Sequence, residues 1–319
     1  MNKSSLVSAL VGTSLVSLAA IDITHMALFD RNPIIKFNFK AREGKGLMPV
    51  ERKKLDEAEA KGYEWFKNHD YQTLHMTNTR GETLCAYFIP PKGGVNTIVF
   101  LSHGFGSTAF RDPMIFVQHY YEKYGFGLFV VDHTASGNSE GKYIGFSGFE
   151  ATDGVNWLHY INTRLGHFKV IIHGVSMGAA TVLRMCGDKE LPRNVIFCVE
   201  DCGFTSGYDQ LIYEIGLMKL PPHPLIDIFD TLNLLKAHYS IKDDCDVISR
   251  VENSKVPILF IHGENDTFVK TDMVYKLYDA CKTDKDILVV KDATHATSCI
   301  YDPESYWEKV DSFIEKYDK

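Results

Sequence analysis

KVIIHGVSMGAATVLRMC, residues 169–186, runs from a short apolar, β-branched segment through a glycine-flanked serine into a helical pattern. The first part suits a strand buried on both faces, and AATVLRMC suits a helix. Between them, Gly174-Val175-Ser176-Met177-Gly178 must take the chain through a sharp strand-to-helix turn. Such a turn strains the serine and exposes its Oγ, while glycines two residues either side let backbones approach without a Cβ clash. The helix amino terminus beneath supplies oriented N–H groups for a developing oxyanion. A bare Gly-x-Ser-x-Gly is a weak signal. Set between strand and helix, it makes Ser176 a candidate nucleophile.

The same rhythm extends in both directions. Short apolar runs at 96–101, 127–131, 169–172, 195–199, 257–261 and 286–290 alternate with helical patterns near 111–124, 149–164, 177–187, 271–282 and 303–317. Alternating strands and helices predict an α/β protein with a doubly wound, mostly parallel sheet. Upstream, residues 47–70 read as an amphipathic helix, and 71–90 as a β-hairpin turning at Thr79-Arg80-Gly81. One interval breaks the rhythm. Residues 203–255 hold no strand pattern, are rich in Leu, Ile, Tyr and Pro, and read as a helical cap inserted over the carboxyl edge of the sheet. The expected organisation is a hydrophobic segment at 1–30, a core of 31–202 and 256–319, and the cap at 203–255.

A serine hydroxyl needs a base, and this architecture orders the partners as serine, acid, histidine. His295 follows the last apolar run, in Lys291-Asp292-Ala293-Thr294-His295-Ala296, and is the candidate base. Asp266, in His262-Gly263-Glu264-Asn265-Asp266, follows the run at 257–261 by a short turn and is the candidate acid. Glu264 and Asp201 are its competitors. The oxyanion needs two N–H donors, assigned to the backbone of Met177 and of Phe105 in Ser102-His103-Gly104-Phe105-Gly106-Ser107.

Composition narrows the partners. The chain has 319 residues, 45% hydrophobic, with a net charge of −7, so it lacks the basic surplus that neutralising nucleic-acid phosphates requires. Seven cysteines, an odd number without a CxxC pair, read as core residues in a reducing compartment. No metal-ligand spacing is visible, and no cofactor is needed. Residues 6–21, LVSALVGTSLVSLAAI, are uncharged but short of the ~20 residues a bilayer span requires. The flank at 31–54 carries eight Lys or Arg against Lys3 alone upstream. This asymmetry favours a membrane anchor with the catalytic domain in the cytoplasm. A packed or dimerising helix and a cleaved signal peptide are the alternatives.

Taken together these residues resemble the α/β-hydrolase family, in particular its bacterial esterase-like, prolyl-oligopeptidase-related branch with a hydrophobic amino-terminal segment and a helical cap. The resemblance runs from about Tyr71 to the end. It rests on Ser102-His103-Gly104-Phe105-Gly106, Asp132 with Ser136-Gly137-Asn138-Ser139-Glu140-Gly141, Gly145 with Glu150 and Asp153, Gly174 to Gly178, Asp201, His262-Gly263 with Asp266, and His295. It implies hydrolysis of a carboxylic ester through an acyl-enzyme, and the apolar cap suggests a small substrate with an uncharged, partly apolar acyl or alcohol group. An amide or peptide hydrolase and a thioesterase would use the same triad, and a non-catalytic binding protein is the reading from another class. One departure stands out. Relatives often carry an arginine two residues after the aspartate equivalent to Asp132, where this chain has Thr134.

Overall fold

The computed structural model describes residues 29–31, 49–217 and 219–319. The apolar segment at 6–21 lies outside the described residues. Within them, no helix is long and apolar enough to cross a membrane.

After helix α1 (Pro49–Lys67), strands β1 (Gln72–Thr77) and β2 (Thr83–Ile89) form the expected hairpin. Its turn is built by Asn78, whose Oδ1 accepts from the N–H groups of Arg80 and Glu82 at 3.0 Å each. Six further strands follow: β3 (Thr97–Ser102), β4 (Gly127–Asp132), β5 (Lys169–Val175), β6 (Val195–Asp201), β7 (Ile258–Gly263) and β8 (Lys285–Val290). They form one eight-stranded sheet in the order β1-β2-β4-β3-β5-β6-β7-β8. β2 alone runs opposite to the other strands, so its pairings with β1 and β4 are antiparallel and the rest are parallel.

Burial on both faces explains why the strands read as continuous apolar runs. On β3, Ile98 and Phe100 enter one core with Phe129, Trp157 and Ile172, while Val99 and Leu101 enter the other with Ile171, Phe197 and Tyr306. Helices α2 (Gly148–Tyr160) and α3 (Met177–Cys186) fill the first face. The carboxyl-terminal helix Pro303–Tyr317 closes the second, through the stripe Tyr306, Val310, Phe313 and Ile314. Asp302 caps it by accepting from Ser305 N at 3.0 Å. All seven cysteines are buried free thiols.

The helix expected at 111–124 is instead broken into a 3-10 turn at Asp112–Ile115 and a π turn at His119–Lys123. The Asp112 carboxylate, at the start of this segment, is engaged by the loop after β3. Gly104 N and Ser107 Oγ donate to it at 2.9 and 2.7 Å.

Among the described residues, the interval at 203–255 contains no strand. It forms helices α4 (Gly207–Leu217), α5 (Pro222–Ala237), α6 (Ile241–Asp244) and α7 (Ile248–Glu252). Most of them build a third apolar cluster, in which Leu211, Ile215, Ile226, Phe229, Tyr239, Ile241 and Cys245 pack with Phe29 and Phe146. Phe29 comes from far upstream. It is fully buried, and its O accepts from Ile144 N at 2.8 Å, while Arg31 N donates to Lys142 O at 2.7 Å. The amino-terminal unit expected to end at residue 30 therefore contributes a ring to the helical cluster.

Candidate active site

Ser176 sits between β5 and α3 with φ 56° and ψ −119°, a conformation that strains any residue with a Cβ. The turn is tight enough to demand its glycines. A Cβ on Gly174 would lie 2.1 Å from Gly178 O, and one on Gly178 would lie 2.2 Å from Ser102 O. Met177, the first residue of α3, and Phe105, on the loop after β3, line one cavity together with Ser176.

The three residues read from the sequence as nucleophile, base and acid meet at the carboxyl edge of the sheet. Ser176 Oγ lies 2.9 Å from His295 Nε2, and His295 Nδ1 lies 2.7 Å from Asp266 Oδ2. The loops carrying them are bound together, since Asn265 N donates to Ala293 O at 2.8 Å. Asp266 is buried, yet it is heavily solvated by protein. Its Oδ1 accepts from Phe268 N and Val269 N at 2.9 Å each, and Oδ2 is also 3.3 Å from His262 Nε2. Burial alone would raise this carboxyl. The charge of His295, the hydrogen bonds from His262 and His295 and the charge of His262 outweigh it and hold the group well below the usual carboxylate range.

The competing acids stand elsewhere. Asp201, at the end of β6, takes a hydrogen bond from Ser298 Oγ at 3.3 Å. Burial pushes its carboxyl up to about 6, against the opposing charges of His262 and His295 and a hydrogen bond from Tyr306. Glu264 is exposed and accepts from Asp292 N at 3.2 Å. Neither replaces Asp266 at the imidazole. A sulfur of Cys202, an Asp266 oxygen and a His295 nitrogen lie within 4.8 Å of one another. A metal held there would take Asp266 and His295 away from Ser176.

Several residues of the site carry no signal strong enough to be read from sequence. His262 is part of the His-Gly pair before Asp266, but the contact to the acid becomes visible only in the fold. Gln210, Leu211 and Glu214 of α4 line the Ser176 cavity with Phe105, Phe146, Phe204 and Phe268. The arginine missing at position 134 is supplied from elsewhere. Arg80, at the β1–β2 turn, donates through Nη2 to Thr134 Oγ1 at 2.8 Å and to Asp153 Oδ2 at 2.6 Å, and Thr134 Oγ1 donates to the same Asp153 oxygen at 2.6 Å. Behind this brace, Asp132 accepts from Ala109 N and Asn138 N at 2.8 Å each, tying the loop after β3 to the loop after β4.

The chain is 25% identical over 257 residues to the uncharacterized protein YqkD of Bacillus subtilis (strain 168), covering 79% of this chain and 82% of that one. Among solved structures it is similar to the Pyrococcus furiosus esterase Pf2001, with a TM-score of 0.63, 21% identity, and coverage of 79% of this chain and 92% of that one. It is also similar to Est1E of Butyrivibrio proteoclasticus with ferulic acid bound, with a TM-score of 0.57, 16% identity, and coverage of 76% and 98%. These likenesses show the α/β-hydrolase fold. The family model described as Serine hydrolase (FSH1) matches residues 137–296, half of the chain. The chain therefore belongs to the FSH1 serine hydrolase family.

Proposed function

We propose that this serine hydrolase cleaves a carboxylic ester through an acyl-enzyme on Ser176. Supporting this reading above all is the continuous hydrogen-bonded chain from Ser176 Oγ through His295 to Asp266, at 2.9 and 2.7 Å. Ser176 Oγ attacks the ester carbon while its proton passes to His295 Nε2, and the carbonyl electrons move onto oxygen. The N–H groups of Phe105 and Met177 receive that oxyanion. Collapse expels the alcohol, which takes its proton from His295. Water then repeats the attack, giving a proton to His295, and releases the carboxylic acid and free Ser176. Asp266 keeps the imidazole in the tautomer with the proton on Nδ1 and stabilises the imidazolium that forms. In this reading, helices 203–255 are a cap over a core made of 31–202 and 256–319. Their apolar wall suits a small, partly apolar substrate.

An amide or a thioester meets the same groups, so a side-by-side panel of a short aryl ester, a peptide anilide and an acyl thioester tests the ester assignment. A fluorophosphonate should label the wild type and fail on Ser176→Ala. Equal labelling of the two would overturn the nucleophile, and faster cleavage of the anilide or thioester would overturn the ester.

A further inference from the structure

Helix α5 carries two apolar stripes, and the core uses one of them. Ile226 and Phe229, with Asn233 at the next turn, are buried, and the two apolar side chains pack in the cluster around Phe29. Ile228, Leu232 and Leu235, spaced i, i+4, i+7, run along a second face roughly a third of a turn round the helix. The first two are half-buried and Leu235 is 70% exposed, and none of the three enters the three apolar clusters of described residues. The exposure is concentrated here. Among the described residues, the exposed large aliphatic side chains are Leu217, Leu220, Leu234 and Leu235, all on α4, α5 or the turn between them, and the other exposed large apolar residues are tyrosines elsewhere. A single exposed leucine is ordinary, but an apolar stripe along a helix marks a contact.

What covers the stripe follows from the position of Phe29. Its ring lies 6.4 Å from that of Phe229, the neighbour of Ile228 on α5. Residues 22–28 can separate Ile21 from Phe29 by at most about 28 Å, little more than the length of α5, about 24 Å. Residues 6–21 are therefore tethered beside the stripe, at an effective concentration on the order of millimolar. A second copy of the chain would have to exceed that concentration to compete. These residues carry no charge, they number sixteen, as α5 does, and Val7, Val11, Leu15 and Leu18 recur at the spacing of one helix face. A bilayer span needs ~20 apolar residues, and here Asp22 closes the run. Two apolar surfaces held this close in water bury one another. We propose that residues 6–21 of this chain cover the Ile228, Leu232 and Leu235 stripe of α5. Helix α5 packs with α4, whose Gln210, Leu211 and Glu214 line the Ser176 cavity, so the cover braces that wall from outside.

The test reads the accessibility of the stripe in the full chain. Leu235→Cys puts a thiol on it, and Tyr275→Cys puts one at a 50% exposed position on the helix Asp272–Ala280, away from α4 and α5. All seven native cysteines are buried, so a maleimide reports on the introduced thiol. Without lipid, Leu235→Cys should react roughly tenfold more slowly than Tyr275→Cys. Adding Val11→Asp and Leu15→Asp, whose charges cannot be buried against the stripe, should bring the two rates together. Similar rates in the two single variants overturn the proposal. Slow labelling that survives both aspartates overturns it as well. Protection that fades on dilution makes a second copy the cover, and protection seen only with vesicles of phosphatidylcholine and phosphatidylglycerol, with the protein floating alongside them, gives the stripe to a lipid surface. Either result overturns the proposal. If the aspartate pair does not fold, Val11→Ser with Leu15→Ser replaces it, and similar rates in the single variants still overturn the proposal unaided.

Discussion

Replacing Phe29 by alanine tests whether the chain upstream of the sheet is part of the folded unit. The ring is fully buried, 5.2 Å from Phe146 and 6.4 Å from Phe229 between centroids, in a cluster with Leu211, Ile215, Ile226 and Tyr239. Two backbone hydrogen bonds, Ile144 N to Phe29 O and Arg31 N to Lys142 O, hold this segment in place and prevent it from sliding to fill the gap. A site that cannot collapse puts Phe29→Ala at the upper end of the usual range, about 3–5 kcal/mol. For a protein of this size that lowers Tm by roughly 4–8 °C. The assay is thermal unfolding followed by limited proteolysis, with cleavage expected first among helices α4 to α6, which lose the ring. A paired truncation refines it. Deletion of residues 1–28 keeps Phe29 and deletion of 1–31 removes it, so the second should cost the Phe29 contribution beyond whatever the first costs. A Phe29→Ala protein melting within 2 °C of the wild type would refute the packing argument.

Asp266→Asn should lower kcat by roughly 10³–10⁴, because an amide must turn its NH₂ toward one of two donor pairs: the N–H groups of Phe268 and Val269, or the His262 and His295 rings. A larger loss from Asp201→Asn would move the acid to β6. Asp112→Ala should cost about ten- to a hundredfold in kcat with little change in KM, since it frees the Gly104 N–H and Ser107 hydroxyl that shape the loop carrying Phe105. An unaltered kcat would show that the loop is held by other contacts. Glu200 is buried on β6, and burial raises its carboxyl from 4.5 to about 8, against the charge of His262 and the Gly203 N–H. The folded state keeps this proton while the unfolded chain releases it, so stability falls as pH rises from about 4.5 to about 8. Glu200→Gln should therefore be more stable than wild type by a few kcal/mol at pH 8 and nearly equal to it at pH 4. Parallel Tm curves across that window would contradict the assignment.

Much of this architecture is legible along the chain, for a local reason. Most strands of the parallel sheet read as short apolar runs, and a turn such as Gly174–Gly178 demands residues of special backbone geometry. The candidate triad follows from the order of strand ends along the sequence, which puts an acid and His295 after Ser176 but leaves Glu264 and Asp201 open beside Asp266. What is not legible depends on contacts without a period. Asp112 breaks a well-patterned helix because a loop eight residues earlier recruits its carboxylate. Phe29 reads as the end of a hydrophobic leader, although its ring belongs to helices some two hundred residues later. Gln210 and Glu214 look like ordinary polar positions on an amphipathic helix until the fold turns that face toward the serine.

The brace formed by Arg80 has a consequence for the order in which this molecule assembles. In relatives that carry the arginine two residues after the β4 aspartate, the brace lies within the loop it supports. Here the guanidinium arrives from a hairpin more than fifty positions earlier and packs over the Phe149 ring at 4.3 Å. The loop after β4 cannot reach its final shape until β1 and β2 have docked on the sheet edge, and closing that longer loop costs entropy before the contact repays it. The shape of the loop after β4 is thereby coupled to the docking of the hairpin, and Arg80→Ala, which takes the cation from Asp153 and the donor from Thr134, should lower Tm and kcat together.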